Sequence, residues 1–332
     1  MTYQKIGVIG AGAWGTALAQ SLSVSGRDVT LWSFEPDCAD AINKRHVNET
    51  YLDGVKLDSS LVATSDAADL AGSDAILSVA PAQHTRATLT TFAPYISASI
   101  PVLLCSKGIE ISTRAFMADV LKETIPQAIP AVLSGPSFAE DVAKGLPTAV
   151  TLACADAVIG RDLVTACASP SFRPYLTNDV IGAEIGGAVK NVLAIVCGIV
   201  LGKGLGRSAH AAIMARGFAE MNRLGKALGA RPETLIGLCG LGDLVLTCSS
   251  EMSRNMSCGL ALGRGEKLED ILTGRLAVTE GVATAPALKT LAQELNVDMP
   301  ISLALAAILA GDMTVDDAID DLMSRDHRLE NE

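Results

Sequence analysis

The stretch Lys5-Ile6-Gly7-Val8-Ile9-Gly10-Ala11-Gly12-Ala13-Trp14-Gly15 constrains this chain more than any other, because a short apolar strand runs straight into a G-x-G-x-x-G turn. Gly10 permits a tight strand-to-helix turn, Gly12 lets backbone approach a pyrophosphate, and Gly15 lets the next helix pack closely on the strand. Residues 16–23 supply that helix, with Ala17, Leu18 and Leu22 on its apolar face. A helix starting here aims unpaired backbone N–H groups and the positive end of its dipole at an anion. In a chain with 30 glycines the glycine spacing alone says little. Set between an apolar strand and a helix, it predicts a dinucleotide-binding turn.

Length and composition bound the rest. A chain of 332 residues predicts two domains, and 49% hydrophobic with 19% charged residues describes a soluble globular protein. A net charge of −11 without a basic cluster argues against a nucleic acid or an anionic membrane as partner. No targeting signal is expected at the N-terminus, where strand residues start almost at once. The longest apolar runs, at 192–201 and 301–310, are about ten residues, half of what a membrane helix needs. The 8 cysteines (Cys38, Cys105, Cys154, Cys167, Cys197, Cys239, Cys248 and Cys258) form no C-x-x-C and read as buried free thiols of a reduced compartment. His46, His84, His210 and His327 form no ligand pair, so no metal site is expected. The cytoplasm follows as the expected location.

The first half alternates strand and helix. Val29-Thr30-Leu31-Trp32, Ala75-Ile76-Leu77-Ser78-Val79 and Val102-Leu103-Leu104-Cys105 are short unbroken apolar runs separated by helix-length segments. Such runs predict a parallel sheet covered on both faces. Ala131-Val132-Leu133-Ser134 and Ala149-Val150-Thr151-Leu152-Ala153 continue it, flanking a loop at Gly135-Pro136-Ser137-Phe138. Ligands of such sheets sit beyond the carboxyl ends of the strands, where Lys107, Gly135 and Ser137 fall. After Asn178, Val189, Val192, Leu193, Val196 and Val200 recur at helical spacing and strand-like runs largely vanish. The fold class expected is α/β: a Rossmann-type doubly wound domain over residues 1–178, then an all-α domain over 179–332.

A dinucleotide domain does not specify a reaction, so the second domain has to supply the chemistry. Lys190-Asn191 sits inside an apolar helical run, and a buried ammonium must be paired or neutral. The alternative is a lysine whose head reaches solvent at the helix edge. Asp243 is likewise an acid among apolar residues: either a partner for Lys190 or a helix N-cap. Ser253-Arg254-Asn255 reads as a polar loop whose Arg fork can satisfy several phosphate oxygens.

Together these pieces resemble the bacterial-type NAD(P)-dependent glycerol-3-phosphate dehydrogenases. The resemblance rests on Gly10-Ala11-Gly12-Ala13-Trp14-Gly15-Thr16-Ala17-Leu18-Ala19, Ser106-Lys107-Gly108-Ile109-Glu110 and Leu133-Ser134-Gly135-Pro136-Ser137-Phe138-Ala139. It continues through Gly186-Gly187-Ala188-Val189-Lys190-Asn191-Val192, Gly240-Leu241-Gly242-Asp243-Leu244 with Thr247-Cys248, Ser253-Arg254-Asn255 and Glu280-Gly281. It runs in order from the first strand to about residue 300. It implies reversible hydride transfer between NAD(P)H and dihydroxyacetone phosphate, giving sn-glycerol 3-phosphate for glycerophospholipid synthesis.

By that resemblance Lys190 is the general acid and base, Asp243 orients it, and Lys107 adds charge near both ligands. Gly135, Ser137, Asn191, Thr247, Ser253, Arg254 and Asn255 complete the substrate set with those three. Gly10, Gly12, Ala13, Trp14, Gly15, Phe34, Glu35, Lys107, Ala139, Arg254, Val278 and Glu280 form the expected cofactor set. Many bacterial members carry Arg or His at the position matching Phe34; Phe34 followed by Glu35 is more like the NAD-specific eukaryotic relatives. An acid at the end of the second strand binds free ribose hydroxyls and repels a 2′-phosphate, so NAD is expected over NADP. In the alternative, Glu35 faces solvent and Lys44 or Arg45 supplies a cation for NADP. Two other functions stand beside this reading. A related dehydrogenase of a 3-hydroxy acid or a phosphogluconate would want a carboxylate clamp instead of the Ser253-Arg254-Asn255 and Ser106-Lys107-Gly108 pairs. A non-catalytic nucleotide sensor would have no need of a Lys190/Asp243 pair. A homodimer is the expected assembly.

Overall fold

The computed structural model describes residues 3–273 and 278–326; His327 lies outside them. The chain opens as β1 (Lys5–Ile9), α1 (Ala13–Val24), β2 (Asp28–Trp32), α2 (Pro36–Arg45), β3 (Val62–Thr64), β4 (Ala75–Ser78) and α3 (Thr85–Phe92). It continues as β5 (Pro101–Leu104), α4 (Met117–Thr124), β6 (Ile129–Ser134), α5 (Ala139–Ala143), β7 (Thr148–Cys154), α6 (Ala157–Cys167) and β8 (Phe172–Thr177). The strands form one sheet in the order β3-β2-β1-β4-β5-β6-β7-β8, with β1 beside both β2 and β4. Strand order therefore reverses at β1, which puts the ligand crevice of a doubly wound sheet at its carboxyl end. Ile6, Val8, Leu31, Leu77 and Leu103 are buried in the sheet core.

The apolar runs predict a parallel sheet, and the structure departs from that at one pair. β7 runs antiparallel to β6. Residues 135–147 connect them and hold only the five-residue α5, close to the shortest connection that a parallel crossover allows, and here the chain turns back instead. β3 and β8 lie outside the expected strands: β3 has three residues, and β8 alternates buried and exposed positions around Pro174.

From residue 180 on, every described element is helical. They are α7 (Val180–Gly202), α8 (Gly206–Ala227), α9 (Pro232–Leu235), a π-helical turn at Leu238–Gly242, α10 (Asp243–Ser249) and α11 (Arg254–Gly263), then α12 (Leu268–Thr273), α13 (Glu280–Glu294), α14 (Pro300–Ala310) and α15 (Val315–Ser324). The apolar stretch of α7 is longer than the ten-residue runs read from sequence. By length and composition α7 could cross a membrane, but 83% of its most apolar window is buried inside the protein, as in the core helix of a helical bundle. α7 and α11 touch through glycine: a Cβ on Gly259 would lie 1.9 Å from the Ile195 carbonyl oxygen.

Two compact units divide the chain: residues to Ser106 with Ala115–Glu184, and Lys107–Arg114 with residues from Ile185 on. The division falls inside α7 rather than at residue 178. Glu184 stays with the sheet unit because its Oε1 accepts the Ala118 amide of α4 at 2.8 Å. Segment 107–114 joins the helical unit, held partly by the ion pair of Arg114 with Glu294 at 3.2 Å.

Within the helical unit Glu220 caps α14, accepting from the Ile301 and Ser302 amides at 2.6 and 3.0 Å and from the Ser302 hydroxyl at 2.7 Å. Replacing Glu220 by Ala should lower unfolding stability by about 3 kcal/mol, because three buried donors lose their acceptor; urea denaturation measures it. Burial raises the Glu220 carboxyl from 4.5 to about 7, against those hydrogen bonds. The stability it contributes is thus full below pH 4.5 and is lost as pH rises through about 7, a slope that Glu220→Gln should remove.

Candidate active site

The glycine-rich turn in the sheet unit is shaped for a diphosphate. Gly10 adopts φ +109°, and a Cβ on Gly15 would lie 1.8 Å from the Gly10 carbonyl oxygen, so α1 can pack on β1 only with glycine there. A Cβ on Gly12 would point into open space, where an incoming anion needs room. No side chain caps α1 at Gly12 and its first turn carries no acid, which leaves its positive end to a ligand. Trp14 Nε1 beside it is buried without a hydrogen-bond partner, the kind of orphan donor found at ligand sites. α1 begins at Ala13, three residues earlier than the sequence pattern indicates.

At the end of β2, Phe34 is 78% exposed and lies edge-on to Trp32, with ring centroids 6.3 Å apart. Glu35 is the N-cap residue of α2, and its Oε1 accepts from the Tyr51 hydroxyl at 2.9 Å. Lys44 and Arg45 are held by Asp40 and Glu49, at 2.6 and 2.9 Å. Elsewhere in this unit the Ser137 hydroxyl donates to the Gly135 carbonyl at 3.0 Å, and Ala139 opens α5.

The helical unit gathers the charged residues. Lys190 Nζ donates to Asp243 Oδ1 at 2.7 Å and to the Thr247 hydroxyl at 2.8 Å, and Thr247 donates onward to Asp243 Oδ1 at 3.2 Å. Lys107 Nζ takes the other oxygen, Asp243 Oδ2, at 2.7 Å. Lys190 is thus a paired buried lysine, not one reaching solvent: its side chain is 8% exposed and that of Asp243 1%. Asp243 opens α10 but does not cap it; Gly242 holds the N-cap position and the carboxylate is spent on two ammonium groups. One carboxylate between two lysines leaves the cluster net positive, suited to an anionic ligand. Burial, opposed by Asp243 and reinforced by the Lys107 charge, pulls the Lys190 ammonium from 10.5 down to about 8.

A second layer of amides ties these pieces together. Asn191 Nδ2 donates to the carbonyl oxygens of Lys107 and Gly187 at 3.0 and 3.3 Å. Asn255 Nδ2 donates to Asn191 Oδ1, and Asn255 Oδ1 accepts the Gly281 amide, both at 2.9 Å. The chain of bonds links segment 107–114, α7, α11 and the start of α13, where Glu280 sits. Ser253-Arg254-Asn255 is not a polar loop. Ser253 caps α11 through the Met256 amide at 3.2 Å, and Arg254 and Asn255 form its first turn. A serine followed by a helical apolar pattern was the available signal for that cap. Arg254 is exposed, as is Val278 just before α13. All eight cysteines are free and buried, and among the described residues no three His, Cys, Asp or Glu side chains gather as a metal site.

Residues 5–159 match the N-terminal model of the NAD-dependent glycerol-3-phosphate dehydrogenases, and residues 179–320 match the C-terminal model. The chain belongs to this family. It is 65% identical over 328 residues to the glycerol-3-phosphate dehydrogenase (NAD(P)+) of Maricaulis maris, covering 99% of this chain and 98% of that protein. The protein of the same name from Caulobacter vibrioides is 61% identical over 325 residues, with 98% of each covered. The crystal structure of glycerol-3-phosphate dehydrogenase from Coxiella burnetii superposes with a TM-score of 0.92 at 39% identity, over 97% of this chain and 99% of that one. The glycine-rich turn and Lys107 fall in the N-terminal match, and Lys190 and Asp243 in the C-terminal one.

Proposed function

We propose that this protein is a cytoplasmic oxidoreductase that interconverts dihydroxyacetone phosphate and sn-glycerol 3-phosphate, with NADH preferred to NADPH. The observation that carries the reading is the buried Lys190–Asp243–Lys107 cluster in a chain of this family. A protein that only senses nucleotides has no use for a proton donor tuned to about 8. When bound, the dinucleotide supplies or accepts the hydride. Reduction also needs a proton for the oxygen of the former carbonyl, and the Lys190 ammonium is the group to give it. Giving it leaves a neutral amine, still held by Thr247 and Asp243, which takes the proton back in the oxidative direction. Asp243 fixes the direction of Nζ and, through Lys107, the second positive charge. Arg254, in the first turn of α11, would bind the phosphate, with the positive end of that helix dipole behind it.

Gly10, Gly12, Ala13, Trp14 and Gly15 would hold the diphosphate of the cofactor. Phe34 offers an exposed ring to the adenine, and Glu35 an acceptor to the ribose hydroxyls.

A spectrophotometric assay with dihydroxyacetone phosphate and NADH tests the activity directly; no turnover would sink it. Arg254→Ala should cost about ten- to a hundredfold in kcat/KM, the worth of a charge-assisted hydrogen bond to an oxyanion. Unphosphorylated dihydroxyacetone, a poor substrate of the wild type, should suffer much less. Equal losses on both would show that Arg254 is not the phosphate anchor.

A further inference from the structure

We propose that Tyr51 sets the cofactor preference of this chain by holding the Glu35 carboxylate in place, with Asn48 fastening Tyr51 to the glycine-rich turn. The inference rests on the reading of Glu35 as the ribose acceptor.

The main chain of Glu35 is well fixed. As N-cap of α2 its carbonyl accepts from the Cys38 and Ala39 amides at 3.1 and 3.4 Å, and from the Ser33 hydroxyl at 3.0 Å. Its side chain is a different matter, because an exposed glutamate samples several rotamers unless something holds it. The Tyr51 phenol does so at 2.9 Å on Oε1. Oε2, 3.4 Å from the Ser33 hydroxyl, keeps lone pairs for other donors. The same bond raises the Tyr51 pKa, so the phenol stays protonated and remains a donor. A carboxylate held this way stays in place at the end of β2, where it would face a 2′-phosphate.

Tyr51 is itself anchored. Asn48 is 1% exposed, and its Nδ2 donates to the Ala11 carbonyl in the glycine-rich turn and to the Thr16 hydroxyl, both at 2.8 Å. Its Oδ1 accepts the Tyr51 amide at 3.3 Å and its carbonyl the Leu52 amide at 2.8 Å. One short segment therefore joins the diphosphate end of the site, through Ala11, to the ribose end, through Glu35. Lys44 and Arg45, at the end of α2, are turned to Asp40 and Glu49.

The test is the pair of dissociation constants for NADH and NADPH, read by fluorescence titration without turnover, in wild type, Tyr51→Phe, Glu35→Ala and the double variant. Wild type should bind NADH at least ~10-fold tighter, about the worth of one misplaced charge. Glu35→Ala should abolish the preference. Tyr51→Phe should cut it at least ~3-fold, weakening NADH and tightening NADPH, since a freed carboxylate neither accepts as well nor repels as well. On the Glu35→Ala background the same change should leave the ratio unaltered, because the two residues act as one. A Tyr51→Phe protein that keeps the wild-type ratio, or binds both cofactors equally more weakly, overturns the role of Tyr51 alone. A wild type without preference, or a preference untouched by Glu35→Ala, overturns the Glu35 reading and this inference with it.

Discussion

Replacing Lys190 by Met should lower kcat at least ~10²-fold, the usual scale for losing a positioned acid–base group, while cofactor affinity stays near that of wild type. Methionine fits the test. It keeps most of the side-chain length at a position that is 8% exposed, and Asp243 retains Lys107 as counter-ion, so no carboxylate is left buried and alone. The change removes the proton donor and little else. The wild type provides the companion measurement. With the Lys190 ammonium near 8, its acid form declines as pH rises through that value. The kcat/KM for reduction should therefore fall above about pH 8, while that for oxidation should climb to a plateau there. Neither break should remain in the residual activity of Lys190→Met. A variant keeping a tenth of wild-type kcat, or the same pH breaks, would take the catalytic role away from Lys190.

What could be read from the sequence followed from how much of each element is buried. β4 and β5 are buried at every position and read as unbroken apolar runs, so nothing but a covered sheet explains them. β8 sits at the sheet edge, shows exposed residues at alternate positions and contains Pro174, and those features erase the signal of a buried strand. The reversal of β7 was also invisible, because apolar runs carry no direction and the connection from β6 is long enough for either sense. In the helical unit Lys190 and Asp243 stood out as charges among apolar residues, and their pairing across 53 residues of sequence is the bond that such burial demands. Tyr51 and Asn48 gave no comparable signal. They lie in a polar stretch that reads as a loop, and the significance of each appears only when Ala11 and Glu35 are brought beside it.

Removing the shared carboxylate should do damage that removing either lysine does not. In Asp243→Ala, Lys107 and Lys190 lose the group that bonds them both, and two ammonium groups are left with a mutual repulsion and no acid between them. Breaking a buried pair from one side costs about 3–5 kcal/mol, so the unfolding midpoint should drop measurably. The effect on chemistry has its own signature. Burial already draws the Lys190 pKa down to about 8, and Asp243 is what opposes that pull. Without the carboxylate the ammonium should lose its proton below 8, leaving little acid form at neutral pH. Reduction of dihydroxyacetone phosphate at neutral pH should then fall at least ~10²-fold, and lowering the pH should recover part of the loss as Lys190 is protonated again. Asp243→Asn, which keeps an oxygen to receive the lysine, should show the same acid-ward shift with a smaller loss of stability. If both variants lose activity while the pH break stays at its wild-type position, Asp243 acts by placing Lys190 and not by setting its charge.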